Sequence, residues 1–425
     1  MKKVLFSISM LMLSCIVALA QTDPKAYAKE LKKAEKSVKE AAKLVNMAGG
    51  DLNQAQTLVD GAMKYPEIVA QPDVWNVAGT IKRKHFEAEQ QKLYLKQQPN
   101  EDKMYSSLYD VYTNYFKCDE VEKTAVDKKG RPVKIQYHAP NKQFMIDNRP
   151  WLINAGVKYY NEVKDNKQAL KYFSLYIESG QHPMLNVQDD TLITQIAYYA
   201  SLAGMQLKDY QTVLKHTAVA KQDPKYARYG YEFTASAYRE LGDTAKWIAE
   251  LQEGVKLFPD HNYFFGNLLD YYNTNNKYDE ALKFANDMIE QNPTDGNMHY
   301  IKGYLCQNLQ KYDEAITAYK AAIEFDSNNA DGKSNLAGAN SNLGLVYCTL
   351  ARNYQDKIPA NISNAQYKKE IEVVKNFYRE ARPYYEKVRE LAPDKQQMWL
   401  NGLYSIYYML NMGPELKEIE ALMNN

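Results

Sequence analysis

Side chains able to do chemistry are sparse and badly spaced for it in this chain. The six histidines, His85, His138, His182, His216, His261 and His299, never stand three or four residues apart, so no pair can offer both rings to a zinc ion from one helix face. Cys118, Cys306 and Cys348 are far from one another and from Cys15, which gives no metal clip and no disulfide framework. Cys306 and Cys348 sit at apolar positions of helical stretches and read as small buried hydrophobes, whereas Cys118 falls in a charged setting with no base beside it. Asp189-Asp190 could share a proton or a cation, but its place before a helix opening near Thr191 reads more simply as an acidic N-cap. No glycine-rich phosphate loop and no glycine-flanked serine elbow is present. No catalytic residue, cofactor or metal is therefore expected.

The chain that would have to position any site is 425 residues long, with formal charge +1. Met1-Lys2-Lys3, the apolar run Val4 to Ala18 and the Ala18-Leu19-Ala20 triplet have the form of a secretory signal cleaved after Ala20. Lipidation at Cys15 is the competing reading, and the apolar residues Ile16 to Leu19 beyond that cysteine argue against it. Loss of Lys2 and Lys3 would bring the charge to −1, and a near-neutral chain is a poor partner for nucleic acid. After the signal no apolar stretch reaches the ~20 residues of a transmembrane helix. Length beyond what one core usually occupies, without a low-complexity linker, suits an array in which each unit packs on its neighbours.

Self-similarity supplies the array. Segments starting at Thr194, Arg228, Asn262 and Gly296 align without gaps, and the last two share KYDEAL (Lys277 to Leu282) and KYDEAI (Lys311 to Ile316). Their eighth residues are Ser201, Ala235, Leu269 and Gly303; their twentieth are Val213, Trp247, Ala281 and Ala315; their twenty-seventh are Ala220, Gly254, Met288 and Ala322. Small side chains at such places let helix axes approach. Pro259 and Pro293 close second helices, and Pro224 lies one residue early. On these offsets the chain resembles the tetratricopeptide repeat family. The resemblance implies an all-α, right-handed α-solenoid of antiparallel helix pairs. Leu269 and above all Trp247 depart from the pattern, and the unit holding the indole is expected to pack differently.

Outside 194–329 the spacing loosens. Trp151 to Tyr160 and Gln168 to Phe173 read as a further pair, with about ten extra residues around Gln181 to Asp190. Downstream, an insertion at about 353–376 separates Asn342-Leu343-Gly344-Leu345 from the partner helix at Ala381 and Tyr385, and capping helices follow at 396–423. Upstream, Ala26 to Met47 and Ala55 to Pro66 form a pair, then Trp75 to Gly79 and Lys103 to Lys117 another. The organisation expected is a signal at 1–20, irregular repeats at 21–149 and the array at 150–425. Two β-prone runs around Gly130, within 123–137, predict a small β-hairpin inserted into the helices.

In the family the first helix of each pair lines an inner wall. Carried over, the partner-binding candidates are Tyr198, Tyr229, Glu232, Arg239, Tyr263, Asp270, Asn273, Tyr300, Tyr304, Gln307 and Asn308. Tyrosine and amides suit a protein or peptide, and rings also stack on sugar CH faces. The lysine and asparagine clamp with which some family members grip chaperone tails is missing, since its places hold Tyr198, Glu232, Gly266 and Tyr300. The expected function is a non-enzymatic scaffold, exported to the periplasm or outer membrane of a Gram-negative bacterium, that binds a protein or peptide; glycan capture is the alternative.

Overall fold

The computed structural model describes residues 23–127, 129–259, 261–326 and 333–423, with the side chains of 262 and 333–335 left aside. The expected signal at 1–20 and Cys15 lie outside the described residues. The chain divides into two compact units, one ending at Glu250 and one starting at Leu251.

The first unit is built from helices in succession: α1 (Pro24–Asn46), α2 (Leu52–Ala62), the single turn α3 (Pro66–Val69), α4 (Pro72–Tyr94), α5 (Glu101–Thr124), α6 (His138–Asn148), α7 (Pro150–Lys158), α8 (Asn166–Gln181), α9 (Ile193–Leu207), α10 (Tyr210–Ala220) and α11 (Pro224–Glu240). A π-turn, Tyr159–Val163, continues α7. Neighbours pack in pairs, α1 with α2, α4 with α5, α8 with α9, and α9 with α10. Helix α12 (Thr244–Leu257) spans the division. The second unit contains α13 (Asn262–Thr274), α14 (Tyr278–Gln291), α15 (Gly296–Asn308), α16 (Tyr312–Asp326), α17 (Lys333–Gln355), α18 (Asn364–Leu391), α19 (Leu400–Met409) and α20 (Gly413–Met423), paired in the same way. Each unit is thus an all-α stack of helix pairs, the solenoid architecture expected.

Local chemistry sets the helix ends. Proline at the first helical position of α1, α4, α7 and α11 gives up an N–H that had no partner anyway. Asp51, Asp165, Asp209, Asp223 and Asp295 each accept a hydrogen bond from a first-turn N–H. The second helices of the regular units begin at Tyr210, Thr244, Tyr278 and Tyr312, one repeat length of 34 residues apart. Just before each stands a residue in the left-handed region: Lys208 (φ 56°), Gly242 (φ 75°), Asn276 (φ 53°) and Gln310 (φ 58°). The turn demands that conformation, which side chains with a Cβ adopt at a cost. Gln310→Gly is accordingly expected to raise stability by roughly 0.5–1 kcal/mol, read as a shift of the urea midpoint.

Within pairs, glycine on the first helix receives an aromatic ring from the second. A Cβ on Gly79 would lie 2.4 Å from the Tyr115 ring, one on Gly156 2.3 Å from Phe173, one on Gly303 2.6 Å from Tyr319, and one on Gly344 2.6 Å from Tyr385. All four rings are buried. Residues at the alanine position behave alike where they are small: Val213, Ala281 and Ala315 are buried. Trp247 is instead half-buried, with the Arg239 guanidinium 5.5 Å from its ring centre, so its unit places the indole outside the close contact that alanine fills.

The predicted hairpin does not form. Lys123 and Thr124 end α5, and the rest contains one isolated bridge, Val126 to Pro132, with no strand among the described residues. Asp127 folds the segment into a tight turn: its carboxylate accepts from the N–H groups of Lys129 and Arg131 and from the Arg131 guanidinium. Glu122, buried, then takes the N–H groups of Gln136, Tyr137 and His138. A carboxylate at that place favours a helix start, and α6, which the sequence reading did not foresee, begins there. Val126 and Ile135 remain exposed, so no burial rewards a second strand.

The ten-residue insertion between α8 and α9 has a buried anchor. Arg149 donates to the Tyr176 carbonyl at 2.8 Å and to Ser179 Oγ at 3.2 Å, lies 3.6 Å from the Tyr176 ring centre, and pairs with Asp190 at 2.6 Å. Asp190 also accepts from the Tyr176 hydroxyl at 2.8 Å and the Leu192 N–H at 3.1 Å. The expected acidic N-cap is not found: α9 opens behind Leu192 with no side-chain cap, and Asp190 instead ties the loop to α8.

His216 on α10 is fully buried and meets Ser174 Oγ at 2.8 Å through Nε2. Burial pushes its pKa down from 6.5 to about 4. Above the higher value the ring is neutral folded or unfolded; between the two, the unfolded chain takes up a proton that the folded chain refuses. Stability should therefore fall as pH drops from 6.5 toward 4, by on the order of 3 kcal/mol from this residue. Melting curves across that range should be flatter for His216→Leu; equal pH slopes in both proteins would show that the ring titrates freely.

Candidate partner-binding surface

Helices α9 and α11 bring the first group of candidates together. The Tyr198 ring centre lies 5.3 Å from Tyr226, 5.2 Å from Tyr229 and 6.0 Å from Phe233, and its neighbour Tyr199 continues the cluster to Phe173 at 6.2 Å. Residues 198 on α9 and 226, 229 and 233 on α11 recur at steps of three and four, so α11 shows one aromatic face to the preceding first helix. Tyr198, Tyr229 and Phe233 are half-buried, leaving ring surface in solvent. Partial burial raises the Tyr198 pKa further above neutral, and its hydroxyl, like any phenol at neutral pH, can donate. Arg228 stacks 4.1 Å from the Tyr229 ring centre and pairs with Glu232 at 2.8 Å. Glu232 is thus positioned by a cation within the cluster. Arg239 lies apart, over Trp247.

The second group joins α13, α15 and their neighbours through hydroxyls and amides. Asn273 Nδ2 approaches the Tyr304 hydroxyl at 3.4 Å, Tyr319 donates to Gln307 Oε1 at 2.9 Å, and Asn342 Nδ2 approaches the Tyr300 hydroxyl at 3.4 Å. Tyr300 and Tyr319 have ring centres 6.0 Å apart. Much of this tyrosine chemistry is spent holding helices in register. Asn308 turns back to the Tyr304 carbonyl of its own helix, Tyr263 stacks on His261, and Asp270 stays exposed.

Sequence reasoning missed a groove in the first unit. About 770 Å³ in volume, it lies between α1, α4 and the turn at 125–137, with Val38, Val45 and Val77 among its apolar lining and Asn46, Gln71 and Gln136 among its polar lining. The β-prone run flagged at 123–137 was the available signal, but the run's use as a groove wall depends on Glu122 and on Tyr137 donating to Asp73. The three cysteines among the described residues add nothing reactive. Cys118 is buried with Sγ 3.4 Å from the Pro72 carbonyl, and burial raises all three thiol pKa values, that of Cys348 to about 12. A thiol so held is no nucleophile at neutral pH.

Comparison with known families settles the repeat. A tetratricopeptide repeat model matches residues 231–261, a TPR repeat model matches 296–349, and the model of anaphase-promoting complex, cyclosome, subunit 3 matches 259–322. The chain carries tetratricopeptide repeats within residues 231–349. Heat shock protein STI1 of Saccharomyces cerevisiae is 28% identical over 112 residues, which cover 24% of this chain and 19% of the yeast protein. The match thus spans about a fifth of that relative's length. Similar solved structures include a TPR repeats protein from Bacteroides fragilis, at 18% identity and TM-score 0.35 over 64% of this chain and 98% of that one. Another is a tetratricopeptide repeat protein from Parabacteroides merdae, at 16% identity and TM-score 0.29 over 66% and 100%.

Proposed function

We propose that this protein is a scaffold of the bacterial cell envelope that binds a protein or peptide on the first-helix face of its repeats, and that it performs no catalysis. The half-exposed aromatic cluster of Tyr198, Tyr229 and Phe233 carries the reading. Tyrosine offers broad contact area and a hydroxyl while freezing few rotors, the chemistry of interface anchors. Arg228 and Glu232 beside it add a paired charge at the rim. Export rests on the signal-like residues 1–20.

Pull-down after in-cell crosslinking should recover a small reproducible set of envelope proteins, and Tyr229→Ala combined with Glu232→Lys should reduce that recovery at least about tenfold, as expected when an interface anchor is truncated. Equal recovery by both proteins, at equal melting temperature, contradicts the reading. The same rings suit the CH faces of sugars. Calorimetric titration with polysaccharides giving saturable heat, together with empty pull-downs, would replace a protein partner with a glycan.

A further inference from the structure

Helix α1 carries a stripe of lysines that the partner-binding surface does not use. Lys25, Lys29, Lys32, Lys36, Lys39 and Lys43 follow one another at alternating steps of four and three residues, which keeps them on one side of the helix over about 27 Å. The opposite side holds Ala34, Val38, Ala41 and Val45, buried within the first unit. All six lysines are exposed, and none forms an ion pair among the described residues; Lys33, off the stripe, is the one that pairs, with Glu30 at 4.0 Å.

A single helix with seven lysines against three glutamates is a local excess in a chain whose overall charge is only +1. Six like charges in a row repel one another, and Glu40, four residues after Lys36 and three before Lys43, lies beside them on that side, leaving a large positive excess. We propose that this face of α1 docks the protein on an anionic lipid surface. The charge is complementary, and the geometry is that of a flat contact, because the stripe, apart from Lys39 at the rim of the groove beside α4, runs along the solvent side of one helix. Lysine presents compact, mobile point charges suited to a fluid layer of headgroups, where arginine would favour fixed bidentate partners. No aromatic residue interrupts the stripe, so it lacks the stacking platform that single-stranded nucleic acid uses. The apolar side of α1 is already committed to the core, so attachment is electrostatic, without insertion, and falls with salt. The proposal is independent of which partner the repeats bind.

Vesicle co-sedimentation of the full chain tests it, with equal parts phosphatidylglycerol and phosphatidylcholine compared with phosphatidylcholine alone. Binding to the anionic vesicles should exceed binding to the neutral ones at least about tenfold and weaken as salt rises. The fourfold variant Lys25→Gln, Lys29→Gln, Lys32→Gln, Lys36→Gln keeps helix-forming side chains and should bind anionic vesicles at least about tenfold more weakly at an unchanged melting temperature. Comparing variants of the same full chain cancels any contribution from residues 1–22. Equal binding by the variant, equal binding to neutral vesicles, or no binding at all overturns the proposal. Tighter binding to polyglutamate than to anionic vesicles also overturns it and assigns the stripe to an acidic protein.

Discussion

Arg149→Ala is expected to destabilise the first unit by about 3–5 kcal/mol, among the largest effects of any single substitution in the chain. The guanidinium is buried and meets four groups at once: the Tyr176 carbonyl, Ser179 Oγ, the Tyr176 ring and the Asp190 carboxylate. Truncation leaves Asp190 as a buried charge supported only by the Tyr176 hydroxyl and the Leu192 N–H. The neighbouring backbone has been shaped to the same end, since a Cβ on Gly180 would lie 2.5 Å from an Arg149 nitrogen. Asp190→Asn should cost less, because it removes a charge and keeps an acceptor. In a double-mutant cycle the pair should couple by more than about 1 kcal/mol, read from urea unfolding. Additive losses would mean that the two side chains act separately.

Gly303→Ala is the second large effect, a loss of about 1–3 kcal/mol from overpacking. Its new methyl would meet the Tyr319 ring at 2.6 Å, and that ring cannot retreat, being fully buried with its hydroxyl bonded to Gln307. Gly266, also on a first helix of the second unit, has nothing within 4 Å of the corresponding position. Gly266→Ala should stabilise by roughly 0.5–1 kcal/mol through helix propensity alone. Opposite signs for the same chemical change are the expected result. Losses at both sites would show that the glycines matter for the backbone and not for the ring contact.

These substitutions mark what the sequence made legible. The 34-residue register could be read because a repeated contact leaves a repeated residue: Ala281 and Ala315 fill the same buried place in consecutive units. The left-handed turn recurs just as strictly, yet lysine, asparagine and glutamine occupy it at Lys208, Asn276 and Gln310, so a search for glycine finds only Gly242. Arg149 and Asp190 are separated by two helices and a loop, and nothing local links them. The hairpin was misread because alternating β-branched residues signal a half-buried strand, whereas Val126 and Ile135 have nothing to cover them and Glu122 draws the chain into α6. Among the site candidates, Tyr198 and Tyr229 stand ring to ring, with Glu232 joined to them through Arg228. Spacing could not separate the tyrosines that face solvent from those such as Tyr319 that bind helices together.

The claim that the first-helix face holds the partner is tested most directly by a photo-crosslinking amino acid placed, one at a time, at Tyr229 on α11 and at Lys215 on the second helix α10. The account predicts a discrete crosslinked species in cells from position 229 and none from 215. Crosslinking from 215 with silence at 229 would contradict it.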